Sequence, residues 1–498
     1  MAGVAVLLLM VSGNRNDHKL VVCGGAWPKA DQLRLKLTEA QIKAEIWQNR
    51  CMPRVKQPER YGANGKETPT EIRGQWNTRF TGESLIKMLA KPKLVQSICC
   101  PEPGTSRDDA KQEVPVLFRR AKATGKNVFS NPQKCVLRTN GTPMKLLITG
   151  ICGFVGSTLA RTILETLDNV QVIGVDNFIR PGSETNRGEL AKLGAKIIHA
   201  DVRSATDFET LPAVDYVIDA AANPSVLAGV DGKTSSRQLL EHNFWGTINM
   251  LEYCKQHRAG LIVLSTSRVY SVPPLATLPV EIHQRAFRPK SGGPWPPGLT
   301  EAGVRETFST APPISLYGAS KLASEVTALE YAETFQFPVW MNRCGVLAGA
   351  GQFGKADQGI FAFWINAHLR RRPLKYIGFD GAGHQVRDCL HPRDLVPGLI
   401  AQMKYSGTDK TRIVNFSGGV DNAMSLAQLT EWCDARFGKH SVASDATPRR
   451  FDIPWMVLDS SLATREWSWA PRTGLVEVLD EIAKHAEKHP QWLEISGA

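Results

Sequence analysis

The chain of 498 residues has little of what marks a metalloprotein, a disulfide-bonded secreted protein or a membrane protein. Its ten cysteines show no metal-ligand spacing, and the adjacent Cys99 and Cys100 are poorly placed for a zinc site or an ordinary disulfide. The apolar run from Val4 to Val11 is too short to span a bilayer, and no lysine or arginine precedes it, as a secretory signal requires. We therefore expect a cytoplasmic protein with reduced thiols, no bound metal and no membrane partner.

An excess of basic charge is missing from most of the chain. The formal net charge is +12, but residues 1–143 hold 24 Lys and Arg against 12 Asp and Glu, whereas the remaining residues hold 36 of each. A basic excess spread over a whole protein would suggest a nucleic-acid or other anionic partner. Because the excess belongs to the N-terminal segment alone, we expect no nucleic-acid partner.

Residues 1–143 contain no recognisable motif and no repeat. Weak helical patterns alternate there with scattered Pro, Gly, Lys and Arg, so we expect a poorly packed or disordered segment of unknown role. Met144 stands directly before the first predicted strand, which favours a non-native upstream extension over a basic arm that binds nucleic acid. We divide the chain into this extension and a second unit, residues 144–498.

The most informative stretch runs from Met144 to Leu167. It begins with an apolar run typical of a buried parallel strand, continues with glycines at Gly150, Gly153 and Gly156, and then shows the periodicity of an amphipathic helix. A glycine turn between a strand and a helix lets the backbone approach a pyrophosphate and offers it the free N–H groups of the helix N-terminus. The stretch therefore predicts a dinucleotide site.

An acidic residue follows at the distance that such a site requires. A second apolar run ends at Asp176, twenty residues beyond Gly156. A carboxylate there can accept hydrogen bonds from both ribose hydroxyls, and it would repel the 2′-phosphate of NADP. We therefore predict NAD as the cofactor.

Strands and helices alternate from Met144 onwards, which predicts an α/β fold. We expect a Rossmann-type doubly wound parallel sheet with helices on both faces. After about residue 345 the alternation loosens into smaller elements, which predicts a smaller C-terminal α/β lobe that binds the substrate. The stretch from Val272 to Pro313 is rich in Pro and Gly, and such long irregular segments usually serve a site.

Tyr317 and Lys321 lie four residues apart on a predicted helix, so their side chains share one face. A phenol is a poor base at neutral pH because its reference pKa is about 10, but an ammonium one turn away favours the phenolate. Thr266, at the end of a predicted strand, could supply a hydroxyl to the same substrate oxygen. The Tyr-x-x-x-Lys pattern is common on helix surfaces, and only the nucleotide fingerprint upstream gives it a catalytic interpretation.

Residues 144 to about 490 resemble the extended short-chain dehydrogenases/reductases, the family of nucleotide-sugar epimerases and dehydratases. The resemblance covers nearly all of the neutral part of the chain. It rests on GICGFVG at Gly150–Gly156, Asp176-Asn177, STSRVY at Ser265–Tyr270, YGASK at Tyr317–Lys321, RDCLHPRDL at Arg387–Leu395 and PRRFD at Pro448–Asp452.

The resemblance implies an NAD-dependent isomerase that acts as a homodimer. Thr266, Tyr317 and Lys321 would be the catalytic residues, and Arg387 and Arg449 would contact the nucleotide diphosphate. The residues that would bind NAD are Gly150, Gly153, Phe154, Val155, Gly156, Asp176, Asn177, Asp201, Val202, Ala220, Ala221, Tyr317 and Lys321.

Within the family, several positions separate the branches. Ser267 and Arg268 stand where the 4,6-dehydratases have an acidic pair, and Val346 stands where a 4-epimerase usually has an asparagine. The segments GQFGKADQG at 351–359 and HQVRDCLH at 384–391 resemble instead the CDP-paratose 2-epimerase branch, which oxidises C2 of a nucleotide-linked dideoxyhexose and returns the hydride to the opposite face. The substrate residues implied by the resemblance are Arg343, Gln352, Phe353, Asp357, Gln358, Arg387 and Arg449.

Two departures from the family pattern leave the substrate open. Asp219 stands where a histidine is common, and Ser271 stands where a glycine is usual. The alternative is therefore a UDP-glucose 4-epimerase, or another dehydratase or reductase of the same family. A non-catalytic protein that senses NAD or binds RNA is a more distant alternative, against which Thr266, Tyr317 and Lys321 argue.

Overall fold

The computed structural model describes residues 10–12, 19–21, 141–230, 232 and 235–498. The expectation of poor packing for residues 1–143 falls almost wholly outside these residues. Two short strands, Met10–Ser12 and Lys19–Val21, pair antiparallel. Within the described part of the chain, no helix combines the length and the apolar composition needed to cross a bilayer.

The core of residues 144–498 is a sheet of seven parallel strands. The strands are β1 (Met144–Thr149), β2 (Val170–Asp176), β3 (Lys196–His199), β4 (Tyr216–Asp219), β5 (Gly260–Thr266), β6 (Val339–Cys344) and β7 (Ile413–Phe416). Their spatial order is β7-β6-β5-β4-β1-β2-β3, so the direction of winding reverses between β1 and β4. The predicted Rossmann-type doubly wound fold is confirmed.

Helices cover both faces of the sheet because the central strands are apolar on both sides. The helices are α1 (Phe154–Thr166), α2 (Arg187–Lys192), α3 (Ala205–Glu209), α4 (Ser236–Leu240), α5 (Gly246–His257), α6 (Val272–Ala276), α7 (Leu316–Phe335), α8 (Ile360–Leu369), α9 (Leu395–Lys404), α10 (Leu426–Phe437), α11 (Ser461–Trp467), α12 (Leu475–Lys488) and α13 (Trp492–Ile495). One apolar core lies between the sheet and the helices α1 and α9, and a second lies between the sheet and the helices α5 and α7.

A second, smaller lobe is built on the strand Val386–Leu390. This strand pairs with Val346–Leu347 and Trp455–Met456 in parallel and with Ala423–Ser425 antiparallel. The helices α8, α10 and α12 share an apolar core of their own beside it. Nearby, Leu374–Ile377 pairs in parallel with Val442–Asp445.

Residues after 345 are divided between the two lobes. The strand β7 and the helices α9 and α11 return to the large sheet and its core, so the second lobe is discontinuous in sequence. The segment Val272–Pro313 is less irregular than its composition suggests, since it holds α6 and two short antiparallel strand pairs. The pairs are Val280–His283 with Ala286–Pro289, and Leu299–Thr300 with Gly303–Val304.

Candidate active site

A long cavity runs across the carboxyl ends of the parallel strands, between the sheet and the smaller lobe. Ligands of open α/β sheets bind at this edge, where the direction of winding reverses. The predicted cofactor residues that line it are Gly150, Gly153, Phe154, Val155, Asp176, Asn177, Val202, Ala220, Ala221 and Tyr317. The predicted substrate residues that line it are Gln352, Phe353, Asp357, Gln358, Arg387 and Arg449.

The glycine turn between β1 and α1 forms one wall of the cavity. Gly150 has φ +61°, and a Cβ atom there would lie 3.0 Å from the Cα of Ala221. A Cβ on Gly156 would lie 2.2 Å from the carbonyl oxygen of Gly150, so Gly156 lets the helix pack against the turn without lining the cavity. Gly153 precedes α1 in an extended conformation and has no side chain to cap the helix. The first N–H groups of α1 can therefore bind an anion such as a pyrophosphate.

The carboxylate of Asp176 lies at the end of β2, nearly buried in the cavity wall. Its Oδ2 accepts a hydrogen bond from the N–H of Cys152 at 2.9 Å, and its Oδ1 accepts one from the N–H of Phe178 at 2.8 Å. Burial raises the pKa of Asp176, and these backbone donors oppose the shift. Each oxygen retains a lone pair, so the carboxylate can still accept from two ribose hydroxyls.

Four buried polar atoms of residues in the cavity wall have no hydrogen-bond partner among the described residues, namely Ser183 Oγ, His242 Nε2, Gln352 Oε1 and Gln385 Oε1. The Nδ1 atom of His242 lies 2.8 Å from the carbonyl oxygen of Gln238, so Nδ1 carries the proton and Nε2 is left as an acceptor. Buried polar atoms without partners are rare in folded proteins. Their presence here, with the glycine turn and Asp176, fits a cavity that holds a polar dinucleotide.

His242 owes its position to a π-helical turn, Glu241–Trp245, which separates α4 from α5. In the same turn, the Oδ1 atom of Asn243 accepts from the N–H of Asn223 at 2.8 Å, and its Nδ2 atom donates to the carbonyl of Asn223 and to Ser320 Oγ. Asn243 therefore bonds the backbone of Asn223, twenty residues earlier in the chain, and does not line the cavity. The contact with Ser320 also ties α7 to the strand ends.

The side chains predicted for catalysis lie on β5 and on the first turns of α7. Thr266 ends β5 and lines the cavity, and its Oγ1 accepts from the N–H of Arg268 at 3.2 Å. Ser315 caps α7, since its Oγ accepts from the N–H of Gly318 at 3.0 Å. Tyr317 is nearly buried and lines the cavity, whereas Lys321, one turn further on, is buried beneath it and does not.

Lys321 faces a buried carboxylate at the end of β4. Burial raises the pKa of Asp219, and the positive charge of Lys321 opposes that shift. The Oδ1 atom of Asp219 also accepts from Thr149 Oγ1 at 2.9 Å. Asp219, which departs from the family pattern, is therefore a buried carboxyl neighbour of the lysine.

Across the cavity, the segment 351–359 of the smaller lobe meets the cofactor half. Ser225 Oγ donates to Asp357 Oδ2 at 2.7 Å, and Arg180 Nη1 donates to Gln358 Oε1 at 2.8 Å. The ring of Phe353 stacks on Trp492, with 5.2 Å between their centroids. We call residues 351–359 the bridging loop, because it connects the two halves of the cavity. Sequence reasoning missed Arg180, which no local pattern distinguishes.

Two arginines predicted for the diphosphate lie together in the cavity wall. The Nη1 atom of Arg387 donates to the carbonyl oxygens of Val386 and Ile453 at 2.7 and 2.9 Å, and its Nη2 lies 3.4 Å from Asp452 Oδ1. Arg449 lines the cavity whereas Arg450 does not.

Besides Gly156 and Lys321, two further predicted site residues do not line the cavity, namely Arg343 and Asp201. Arg343 is buried in an ion pair with Glu325, at 2.6 Å, and its guanidinium lies 5.0 Å from the ring centroid of Tyr270. It holds β6 against α7 rather than facing a substrate, which corrects the expectation from sequence. Asp201 is bound by Arg203 at 2.6 Å and by Asn177 at 3.0 Å, so it orients Asn177 from outside the cavity.

Several histidine and tryptophan side chains are structural. His391 accepts from the N–H of Arg393 at 3.2 Å and caps a short 3-10 helix, Pro392–Asp394. Trp364, Trp467 and Trp469 are buried in the apolar cores. In the described part of the chain, no three His, Cys, Asp or Glu side chains are grouped closely enough to hold a metal ion.

The fold and the cavity define a Rossmann-type dinucleotide-dependent enzyme. Residues 146–416 match the NAD dependent epimerase/dehydratase family, and the chain belongs to this family. The predicted family, the NAD cofactor and the class of NAD-dependent isomerases are thereby confirmed.

Relatives and solved structures agree with this membership. The CDP-paratose 2-epimerase of Salmonella typhi is 28% identical over 348 residues, which cover 66% of this chain and 95% of that protein. The UDP-glucuronate 4-epimerase of Thermodesulfobacterium geofontis is 26% identical over 354 residues, which cover 69% of this chain and 96% of that protein. The structure of the UDP-glucuronic acid 4-epimerase of Bacillus cereus, in complex with UDP-glucuronic acid and NAD, has a TM-score of 0.56 at 23% identity and covers 69% of this chain and 99% of its own; it shows the same fold.

Proposed function

We propose that this protein is a nucleotide-sugar epimerase that inverts C2 of a CDP-linked dideoxyhexose. The relative from Salmonella typhi is named for such a reaction, as a CDP-paratose 2-epimerase. The observation that carries the proposal is the position of the bridging loop. Its sequence resembles the CDP-paratose 2-epimerase branch, and the four side chains that this resemblance implies for substrate binding all line the cavity: Gln352, Phe353, Asp357 and Gln358.

The proposed chemistry begins with oxidation of the sugar carbon. NAD, when bound, accepts a hydride from that carbon and returns it. Tyr317 removes the proton of the hydroxyl on the same carbon, and Lys321 favours the phenolate that this role requires. Because Thr266 Oγ1 accepts from the N–H of Arg268, its own proton is free to bind the substrate oxygen.

Inversion requires that the transient keto-sugar present its other face before it is reduced. Arg387 and Arg449 would hold the diphosphate while the sugar turns, since guanidinium groups bind phosphate oxygens strongly. The same tyrosine then returns a proton to the oxygen. The bridging loop would keep NAD in place through the cycle, because it contacts Arg180 and Ser225 of the sheet lobe.

A sister activity, inversion at C4 of a UDP-sugar, is the second candidate. The UDP-glucuronate 4-epimerase relative matches over almost its whole length, which favours it. Dehydration is disfavoured, because Ser267 and Arg268 replace the acidic pair that elimination of water needs.

We further propose a cytoplasmic homodimer without a nucleic-acid partner, in which residues 144–498 carry the activity. The cysteines of the described residues, Cys152, Cys254, Cys344, Cys389 and Cys433, are all free and buried, as expected in a reducing compartment. Large apolar side chains are exposed on the π turn and α7, where Trp245 is 54%, Val326 is 56% and Phe335 is 43% exposed. Such a surface suits an interface between the central helices of two copies.

Product analysis tests the proposed function. The full chain is incubated with CDP-, UDP-, dTDP- and GDP-sugars without added cofactor, and the products are identified by NMR. We expect inversion at C2 of a CDP-sugar with retained NAD. Inversion at C4 would move the protein to the sister activity. Loss of water, or consumption of NADH in a parallel incubation to which NADH is added, would contradict epimerisation.

A further inference from the structure

Arg268 is a cavity residue to which the proposed chemistry gives no role. It lies two residues after Thr266, in the 3-10 helix Ser267–Val269, and its side chain lines the cavity. Its guanidinium makes a long hydrogen bond, 3.4 Å from Nη1 to the carbonyl oxygen of Phe451. Five N–H donors are available on a guanidinium, so most of them remain for a ligand.

The backbone of Arg268 is fixed against the catalytic helix. A Cβ atom on Gly318 would lie 2.2 Å from the carbonyl oxygen of Arg268, which explains why glycine follows Tyr317. The N–H of Arg268 is bound by Thr266 at 3.2 Å. The side chain thus extends from the catalytic threonine and tyrosine towards the segment 449–453.

Three arginines converge where this side chain ends. Arg387 and Arg449 repel Arg268, while Asp452 and Tyr317 attract it. With burial as the largest cause, the pKa of Arg268 falls to about 10, and that of Arg387 is lowered as well. Asp452 lies among the three guanidinium groups, and Asp388 also attracts Arg387. The guanidinium groups still outnumber these carboxyl groups, which favours an anionic ligand such as a diphosphate.

We propose that Arg268 is the third arginine of the diphosphate site and binds the phosphate group that carries the sugar. This inference rests on the proposed function for the identity of the ligand, a nucleoside diphosphate sugar. Arg387 and Arg449 hold the diphosphate from the smaller lobe, and Arg268 reaches it from the side of Tyr317. Its place at the junction of phosphate and sugar makes it a specificity-determining residue that selects diphosphates over monophosphates.

The position also connects substrate binding with the type of reaction. The dehydratases of the family have an acid where Arg268 stands, as the resemblance implies. In this chain the same position would bind an anion of the substrate instead of donating a proton to a leaving hydroxyl. One side chain would therefore exclude elimination and anchor the sugar that has to turn.

Calorimetric titration of the full chain with CDP and CMP tests the inference, with UDP and UMP as a second pair. The pair that the unaltered protein binds more tightly is used for the variants. The ratio of the Kd for the monophosphate to the Kd for the diphosphate should fall about tenfold or more in Arg268→Gln, because a charge-assisted hydrogen bond to the second phosphate is lost. Arg450→Gln, which removes an exposed arginine outside the cavity, should leave the ratio unchanged.

An unchanged ratio in Arg268→Gln, or equal weakening of both nucleotides, would overturn the inference. If Arg268→Gln does not fold, Arg268→Lys serves, because it keeps the charge and loses the planar fork; a fall of about threefold is then expected and no fall overturns the inference. Binding is measured without turnover. The ratio of Kd values could fall in Arg268→Gln although the unaltered protein turns over no CDP-sugar. That result would contradict the proposed substrate and still support the role of Arg268 in binding the diphosphate.

Discussion

The side chains that bear the proposed chemistry lie at two kinds of position, the carboxyl ends of strands and the first turns of helices. Thr266 and Asp176 end β5 and β2, and Tyr317 begins α7. These positions could be predicted from local spacing, since an i,i+4 pair on a helix must share a face and an acid after a parallel strand must point at the cavity edge.

Replacement of Tyr317 is the most specific change at this scale. In Tyr317→Phe we expect kcat to fall by about 10²- to 10⁴-fold, because the proton of the sugar hydroxyl has no acceptor. NAD should still copurify with the variant, since the ring that lines the cavity is retained. Turnover by NMR and NAD content by absorbance of the denatured protein give the two readouts.

Tyr331→Phe is the matched control for this change. Tyr331 lies on the same helix, α7, and its hydroxyl donates to Glu252 at 2.7 Å on the protein surface. This variant should turn over substrate at the normal rate. Normal turnover in Tyr317→Phe would remove the basis for the catalytic assignment.

Residues that depend on distant partners could not be predicted in this way. Arg343 was expected at the substrate because of its place in a motif, but its ion-pair partner Glu325 comes from another element. His242 and Ser183 were missed because their unpartnered atoms become visible only once the cavity is formed. Arg268 was noted in the sequence only as the residue that replaces an acid.

At the scale of elements, the turn between β1 and α1 is the one on which the nucleotide site depends. Its geometry requires that α1 approach the carbonyl of Gly150 more closely than any side chain at position 156 would allow. The periodicity of the sequence predicted this strand, turn and helix.

A methyl group at this contact should disturb the whole turn. In Gly156→Ala we expect a loss of stability of about 1–3 kcal/mol and a lower NAD content, because the added Cβ would lie 2.2 Å from the carbonyl oxygen of Gly150. Thermal unfolding with NAD measured on the same samples gives both quantities.

Gly188→Ala is the control within a helix. Gly188 lies in α2, and a Cβ there would have no neighbour within 4 Å. Because alanine favours helix more than glycine does, stability should stay the same or rise by about 0.5–1 kcal/mol. If both variants unfolded at the same temperature as the unaltered protein, close packing of the turn would not explain why position 156 is glycine.

Some elements could not be predicted from local pattern. The helical periodicity between Arg237 and His257 is continuous, and the π turn Glu241–Trp245 within it follows from contacts with the strand ends. The position of β7 at the edge of the large sheet could not be predicted either, because the sequence of a short apolar strand does not determine which sheet it joins.

At the scale of the whole molecule, the cavity belongs to two lobes that meet through both polar and apolar contacts. The bridging loop holds Arg180 and Ser225 of the sheet lobe, and Phe353 within it packs on Trp492 near the end of the chain. Burial lowers the pKa of Arg180, and Asp357 opposes the shift. This arrangement encloses the cofactor half from the substrate side, which suits a cofactor that stays bound through turnover.

The central claim is that inversion proceeds by oxidation and reduction at one carbon within this enclosed cavity. The measurement that tests it most directly uses a nucleotide sugar carrying deuterium on the carbon that the enzyme inverts, in ordinary water. We expect an inverted product that keeps its deuterium at that carbon, because the hydrogen removed never leaves the cavity. An inverted product in which solvent hydrogen has replaced the deuterium would contradict inversion by oxidation and reduction.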